Sequence, residues 1–218
     1  MTDFLEQVVA ERRADVERAK RDVPEGALFE AALARGRKTV IDTAGDRFTR
    51  ALHGARAKGR LAVIAEMKRV SPAIGPLQPI ADVRIIAQLY EAGGAAAISV
   101  LTEPRHWGGS LDDLAAVREA VTVPVLRKDV IVDEYQVVEA WAAGADAVLL
   151  IAEALDDRLL HRLVDRALRL GIGVLVEAHE AAAFERAVRS GARVVGVNAR
   201  DLRRPKEIRP ERIGLLHA

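Results

Sequence analysis

Four segments of the chain repeat one pattern, in which a glycine is followed within a few residues by a short apolar run. The segments read EAGGAAAISVLTE, AAGADAVLLIAE, RLGIGVLVEA and RSGARVVGVNAR, and their glycines are Gly94, Gly144, Gly171 and Gly191. Glycine is favoured directly after a helix because it adopts the left-handed backbone conformation, and apolar runs of this length suit buried strands. Each segment is therefore interpreted as the end of a helix followed by a buried strand.

Two further apolar runs, LAVIAEM from Leu61 and VPVLRKD from Val123, extend the series to six strands. We expect the strands to end near Met67, Leu101, Lys128, Ile151, Glu177 and Asn198. The segments between them are amphipathic and predict helices over 81–92, 110–120, 133–143, 156–170 and 180–190. This alternation predicts an α/β fold with a parallel sheet, preceded by three helical pieces before Gly59.

Polar side chains follow the strands at the point where each strand ends, although the strands themselves are almost continuously apolar. The polar residues are Glu66 and Lys68, Thr102 and Glu103, Lys128 and Asp129, Glu177, and Asn198 and Arg200. An open doubly wound sheet gathers ligand residues mainly at one switch point, whereas a closed barrel brings every carboxyl end to one mouth. Polar residues at five of the six ends favour a TIM (β/α)8-type barrel.

Charge and composition exclude several classes of partner. The 218 residues include 33 basic and 32 acidic side chains, so the formal net charge of +1 gives no electrostatic signature of nucleic-acid binding. No apolar run approaches the roughly 20 residues that cross a membrane, and the amino terminus does not resemble a signal peptide. We therefore expect a cytoplasmic protein that binds neither nucleic acid nor membrane.

Metal and cofactor chemistry is also disfavoured by the sequence. Cysteine is absent, and the five histidines are too scattered to form a helical metal-binding pair. Gly171 and Gly173 precede their strand, whereas the glycines of a dinucleotide-binding fingerprint follow one. We expect no metal and no cofactor.

The chain is short for a complete barrel. An eight-stranded barrel takes about 250 residues, so two more strand-helix units would need roughly 45 to 50 residues after Asn198. Only 20 residues follow Asn198, and they predict one helix from about Pro210. We therefore expect a single, incomplete barrel domain, with a helical extension over residues 1–58 and barrel units one to six over 61–218.

Several longer motifs are specific enough to indicate a family. IAEMKRVSP, AAAISVLTEP followed by an aromatic and GGSL, VPVLRKDVIVDEYQV, GADAVLLI, VLVEAH and GVNARDL occur in this order. Together they resemble indole-3-glycerol phosphate synthase of tryptophan biosynthesis, over nearly the whole chain. The resemblance implies a barrel whose amino-terminal extension covers the mouth. It also implies a carboxy-lyase, a carbon-carbon lyase that converts 1-(2-carboxyphenylamino)-1-deoxyribulose 5-phosphate into indole-3-glycerol phosphate with loss of carbon dioxide and water.

The resemblance further implies a catalytic set of Lys128, Glu66, Glu177, Lys68 and Asn198. Lys128 matches the acid that polarises the substrate ketone, a role suited to a lysine whose pKa is lowered toward the working pH. Glu177 matches a general base for dehydration, and Glu66 matches a carboxylate that orients the lysine. Asn198 matches a substrate-orienting amide, and Lys68 matches a phosphate ligand that can also supply a proton. A surface position for Lys128 and simple ion pairs for the glutamates are the structural alternatives.

Substrate-binding residues are implied in the same way. Lys68 and Ser71 match phosphate ligands, and Trp107 matches an aromatic that stacks on the anthranilate ring. Leu149 is expected to line the apolar pocket, and Arg200 matches a partner of the substrate carboxylate, which guanidinium binds in bidentate fashion. The alternatives are a Ser-Pro turn without ligand for Ser71, core packing for Leu149 and a surface salt bridge for Arg200.

The chain departs from the family pattern at two places. Val130 stands where the family usually has an aromatic residue after Lys-Asp. In addition, nothing after Asn198 matches the family's seventh strand, with its glutamate and Ser-Gly, or the glycine-rich turn of the eighth strand that completes the phosphate site.

Two hypotheses follow for the chain, and a third is weaker. It is either a synthase completed by residues elsewhere or by another chain, or a truncated, inactive barrel that serves as a binding or assembly module. A different phosphate-binding barrel, such as an isomerase of histidine or tryptophan synthesis, fits Lys128 and Glu177 less well.

Unpaired edges on the first and sixth strands invite pairing with another chain, so we expect self-association and poor turnover by residues 1–218 alone. An assay of the purified chain, with its intact mass confirmed, tests this expectation. Turnover at the ordinary rate of a synthase would contradict it.

Overall fold

The computed structural model describes residues 3–37, 46–77, 80–200, 202–204 and 206–217. Three helices come first, as the sequence predicts: α1 (Phe4–Asp22), α2 (Glu25–Ala34) and α3 (Arg47–Ala57). Helices α1 and α3 begin after Asp3 and Asp46, whose side chains each accept a backbone hydrogen bond from the first turn at 2.8 Å. These caps satisfy amide groups that would otherwise lack a partner.

Six parallel strands form one sheet in the order β1-β4-β5-β6-β7-β8. Their bounds are β1 Ile64–Met67, β4 Ala97–Leu101, β5 Val125–Lys128, β6 Ala147–Ile151, β7 Gly173–Ala178 and β8 Val194–Val197. The two-residue strands β2 (Val70–Ser71) and β3 (Gly75–Pro76) form a separate hairpin. The connecting helices are α4 Val83–Ala92, α5 Leu111–Ala120, α6 Glu134–Ala142, α7 Asp157–Arg169 and α8 Ala181–Arg189.

The predicted fold class is confirmed, since six parallel strands form one sheet and an α-helix follows each of the first five, as in part of a TIM barrel. Every strand ends within one residue of its predicted position. Across the described ranges, none of the helices combines the length and apolarity that spanning a membrane requires.

Three local features differ from the predictions. Strand β1 begins at Ile64 and not at Leu61, because Leu61 is 86% exposed and lies outside the sheet. The helix from Pro210 is a 3-10 helix that ends at His217. The β2–β3 hairpin is absent from the predictions because two-residue strands have too little periodicity to be recognised.

The six-stranded sheet has two faces with different neighbours. One face packs against the surrounding helices in a large apolar cluster that includes Ile98, Val148, Val174, Leu114, Trp141 and Leu163. The opposite, concave face has its own cluster, to which Ile64, Leu126 and Leu175 belong. Side chains alternate along a strand, so the residues two positions further on, Glu66, Lys128 and Glu177, belong to this concave face at its carboxyl end.

The three amino-terminal helices contact different parts of this sheet. Leu5 and Val8 of α1 belong to the concave-face cluster together with Val130 and Val132, so α1 lies at the carboxyl end of the strands. Phe48 of α3 belongs to the same cluster. It lies at the amino end, where a Cβ atom on Gly173 would approach the Phe48 Cβ to 3.2 Å. Helix α2 packs against α6, with the rings of Phe29 and Trp141 4.9 Å apart.

The two outermost strands are less buried than the inner ones. All residues of β4 and β6 are buried, whereas all four residues of β8 and three of the four in β1 are only partly buried. In the part of the chain that the structure describes, no strand pairs with the outer edge of β1 or β8. These edges present unpaired backbone groups, which is the geometry that favours addition of another strand.

A buried ionic network ties α1 to the end of β5. Asp129 is 3% exposed, and its Oδ2 accepts hydrogen bonds from Arg12 of α1 at 3.1 Å, from Arg127 at 2.9 Å and from Thr102 at 2.7 Å. Arg127 is 1% exposed and also pairs with Glu139 at 2.8 Å. Removing one partner of such a network leaves an uncompensated buried charge, so the network locks the segment next to Lys128 in place.

We predict that Asp129→Ala lowers the free energy of unfolding by about 3–5 kcal/mol, since it leaves Arg12 and Arg127 without their shared carboxylate. Urea unfolding followed by circular dichroism measures the change. Asp165→Ala is the matched control, because the Asp165–Arg169 pair is exposed and its loss should cost less than about 1 kcal/mol. Equal effects of the two substitutions would contradict this account of the network.

Candidate active site

A cavity of about 320 Å³ opens at the carboxyl end of the strands, on the concave face. It is lined by residues from the ends of β1, β4, β5, β6, β7 and β8 and from the loops that follow them. Eight of the nine site residues predicted from the sequence line it: Glu66, Lys68, Trp107, Lys128, Leu149, Glu177, Asn198 and Arg200. The ninth, Ser71, is not among the lining residues.

Lys128, Glu177 and Asn198 form one hydrogen-bonded group in this cavity. Lys128 Nζ donates to Glu177 Oε2 at 3.2 Å, and Asn198 Nδ2 donates to Glu177 Oε1 at 2.9 Å. Asn198 Oδ1 accepts from the backbone N–H of Arg200 at 2.8 Å, which determines the orientation of its amide. Strands β5 and β7 flank β6, so the Lys128–Glu177 pair crosses the concave face above an intervening strand.

The charges in this group stabilise one another. Burial opposes the ionised form of Glu177, but Lys128, Asn198 and His179 outweigh it, so the pKa of Glu177 lies below its ordinary value. Burial likewise opposes the ammonium form of Lys128, but Glu177 and Glu66 outweigh it and the pKa of Lys128 is raised. The expectation of a lowered pKa for Lys128 is therefore wrong. Both groups are charged at neutral pH.

Glu66 and Lys68 form a second ion pair at the end of β1. Lys68 Nζ donates to Glu66 Oε1 at 2.6 Å, and both side chains are about one-third exposed. The pair is the ionic alternative considered for Glu66, and Glu66 also contributes to the raised pKa of Lys128. Glu66 thus couples the two lysines of the cavity electrostatically.

The loop that carries Trp107 is organised by a buried carboxylate. Glu103 is 1% exposed, and its two oxygens accept from the backbone N–H groups of Arg105, His106 and Trp107 at 3.1, 2.6 and 3.2 Å. The Trp107 ring also lies 5.9 Å from that of Phe4 in α1. The aromatic wall of the cavity is therefore held both from within its loop and by the first helix.

The remaining predicted residues, Leu149, Ser71 and Arg200, differ in how they are placed relative to the cavity. Leu149 lines the cavity and is only 2% exposed, so pocket lining and core packing both describe it. The Ser71 hydroxyl is buried and accepts from the backbone N–H of Ala73 at 3.3 Å, which is the local turn considered as its alternative. Arg200 lines the cavity two residues after Asn198.

The histidine and carboxylate side chains of the described ranges nowhere gather in a group of three or more that could hold a metal ion. The cavity instead contains ammonium, guanidinium, carboxylate and amide groups. These groups can bind anions and exchange protons.

Sequence reasoning missed two residues next to the cavity, His179 and Glu153. His179 is 4% exposed, and its Nε2 lies 3.6 Å from Glu177 Oε1, while its Nδ1 lies 3.0 Å from Glu153 Oε2. His179 directly follows β7, and Glu153 lies two positions beyond the end of β6 in the short 3-10 turn Ala152–Ala154. A polar residue just beyond the carboxyl end of a strand is the sequence feature that could have indicated His179 and Glu153.

We predict that Lys128→Met raises the pKa of Glu177, because the largest favourable charge is lost while burial continues to disfavour the carboxylate. Carbon-13 NMR of labelled glutamate side chains, assigned with Glu177→Gln, measures the titration. Lys20→Met is the matched control, because Lys20 pairs with Asp133 and Glu17, and neither residue lines the cavity. An unchanged Glu177 titration in Lys128→Met would contradict the coupling.

Comparison with known proteins assigns the chain to a family. The model of the indole-3-glycerol phosphate synthase family matches residues 5–209. Named synthases of Beutenbergia cavernae, Nocardioides sp. and Micrococcus luteus are 50%, 62% and 46% identical over 91%, 68% and 91% of this chain. The matches cover 70%, 56% and 72% of those relatives. The chain therefore belongs to the indole-3-glycerol phosphate synthase family.

Proposed function

We propose that the cavity performs the reaction of this family, the conversion of 1-(2-carboxyphenylamino)-1-deoxyribulose 5-phosphate into indole-3-glycerol phosphate. The observation that carries the proposal is the Lys128–Glu177 pair, an ammonium donor and a carboxylate 3.2 Å apart in one cavity of a chain with this family's sequence. The reaction needs both an acid and a base at the same bound substrate. The family's enzymes are carboxy-lyases, because the ring closure releases the substrate carboxylate as carbon dioxide.

Lys128 acts in the ring closure. The aromatic carbon that bears the carboxylate attacks the ketone carbon, and the ketone oxygen takes up a proton as the new carbon-carbon bond forms. Because its pKa is raised, Lys128 is protonated at neutral pH and donates at this step. Loss of carbon dioxide then restores the aromatic ring.

Glu177 and Lys68 act in the dehydration that follows. A proton must leave the methylene carbon that lies between the nitrogen and the former ketone carbon. The hydroxyl on the former ketone carbon must depart as water, with a proton from an acid. Glu177 is ionised and accepts the first proton, while Lys68 supplies the second. Asn198 holds Glu177 Oε1 and so leaves Oε2 directed at Lys128 and the substrate.

Substrate binding is divided among the remaining residues. The ammonium of Lys68, with the turn at Ser71, takes the phosphate. Trp107 and Leu149 contact the anthranilate ring, and Arg200 pairs with the carboxylate that is later lost. Val130, which stands in place of the family's usual aromatic, belongs to the concave-face cluster with Leu149, so the ring is bordered there by aliphatic atoms.

Membership of this family also supports proposals for the location, the domain organisation and the assembly of the protein. The protein acts in the cytoplasm on a small phosphorylated substrate. Residues 1–58 form the helical extension and 61–218 the barrel units of a single domain. The open outer edges of β1 and β8 are sites for self-association or for completion by another chain.

We predict that Lys128→Ala and Glu177→Gln each lower kcat by about 100-fold or more, since each removes a group that moves a proton in the reaction. The complete gene product is incubated with the substrate, and the increase in fluorescence of the indole product measures the rate. Lys58→Ala, in the exposed turn after α3, and Glu185→Gln, on the exposed surface of α8, are matched controls and should retain the parent rate. Undiminished product formation in either active-site variant would contradict the roles assigned here.

A further inference from the structure

A buried imidazole lies between two carboxylates at the wall of the cavity. His179 is 4% exposed, with Nδ1 3.0 Å from Glu153 Oε2 and Nε2 3.6 Å from Glu177 Oε1. Nε2 is fully shielded and has no hydrogen-bond partner among the described residues. A polar nitrogen is costly to bury without a partner, so this one needs a physical explanation.

Glu153 is firmly positioned on the far side of the ring. Its Oε1 accepts from the backbone N–H groups of His179 at 2.7 Å and Glu180 at 3.2 Å, directly before helix α8. The side chain of Glu180, the residue directly before α8, makes no capping hydrogen bond, so Glu153 supplies the acceptor from outside the helix. Burial opposes ionisation of Glu153, but the ring and the backbone N–H of His179 outweigh it and lower the pKa of Glu153.

The position of Glu153 determines which nitrogen of His179 carries a hydrogen. An ionised carboxylate only accepts hydrogen bonds, so Nδ1 must donate to Glu153 Oε2. If the ring is neutral, Nε2 then has a lone pair that faces the lone pairs of Glu177 Oε1. If the ring is protonated, Nε2–H points toward that oxygen and needs to move by only about half an ångström to reach hydrogen-bonding distance. The contact is attractive only when a proton lies between the two atoms.

Charged side chains surround His179 on several sides. Glu153 and Glu177 face the ring from the 3-10 turn after β6 and from β7. Lys128 of β5 lies beyond Glu177 and contacts its other oxygen. On α8, Arg186 pairs with Asp157 and donates to backbone carbonyls of the 3-10 turn, and Glu180 pairs with Arg203. Glu153 and Glu177 both contact the ring, and the other partners of each carboxylate stabilise its ionised form.

We propose that His179, anchored by Glu153, is a positioning residue that holds Glu177 through a proton on Nε2. With that proton present, Asn198 and His179 both hold Glu177 Oε1, so Oε2 stays directed at Lys128 and the substrate. When the proton is lost, repulsion between Nε2 and Oε1 displaces the carboxylate. The inference rests on the proposed function for its effect on rate, but the coupling itself does not depend on turnover.

The kinetic test uses His179→Asn, which can keep a donor to Glu153 but removes Nε2. We expect kcat to fall by about 10- to 100-fold with a much smaller change in KM, because the base is misplaced while substrate contacts remain. In the parent enzyme kcat should decline when a rise in pH removes the proton from the ring. That decline should vanish in His179→Asn and persist in the matched control His161→Asn, whose side chain lies on the exposed surface of α7.

A second measurement is independent of activity and of the folding of the His179 variant. Nitrogen-15 NMR of labelled histidine in Glu153→Gln should show the His179 titration moved to lower pH than in the parent, because one of the two carboxylates that stabilise the imidazolium is gone. Glu177→Gln should move it in the same direction, and His161 should titrate unchanged in both.

The outcomes separate the two proposals. An active parent whose pH profile is unchanged by His179→Asn, or a His179 titration that ignores both glutamate substitutions, would overturn the role of His179. A parent without turnover, in which the His179 titration still responds to both substitutions, would overturn the proposed reaction and leave the coupling supported.

Discussion

The site depends on the parallel register of the six strands. Leu101 lies opposite Lys128, Ile151 opposite Glu177 and Ala178 opposite Val197, so the carboxyl ends match between β4 and β5 and among β6, β7 and β8. Between β5 and β6, Arg127 lies opposite Val148, so β6 extends beyond the end of β5. Alternation then places every second side chain on the concave face. A shift of one residue in β5 or β7 would turn Lys128 or Glu177 toward the helices and bury an unpaired charge. The register and the ion pair therefore stabilise each other.

The electrostatic state of the cavity follows from this crowding. Isolated burial would neutralise each ionisable group, but cations and carboxylates alternate around the mouth, and each supports the charge of its neighbour. Lys68 pairs with Glu66, Lys128 with Glu177, and His179 contacts both Glu177 and Glu153. Helix α1 closes this arrangement through the contact of Arg12 with Asp129, the residue after Lys128. Lys128 and Glu177 are thus held charged and close together.

The sequence predicted the strands and most cavity residues because polarity changes abruptly where each buried strand ends. Prediction failed where a partner comes from another unit of the fold. The Glu153–His179 contact joins two loops 26 residues apart, and no local pattern indicates it. The direction of the Lys128 pKa shift was also missed, because it depends on the distances to Glu177 and Glu66 and not on burial alone. Ser71 lies in a recognisable turn, yet its orientation is set by the β2–β3 hairpin, which is too short to predict.

The most direct test of the central claim is a crystal structure of the complete gene product with indole-3-glycerol phosphate bound. The account predicts that the phosphate lies within hydrogen-bonding distance of Lys68 Nζ, that the indole ring contacts Trp107, and that the carbon atoms of the new ring face Lys128 and Glu177. Product bound outside this cavity, or bound in it without contact to Lys128 or Glu177, would contradict the claim that the strand ends form the catalytic centre.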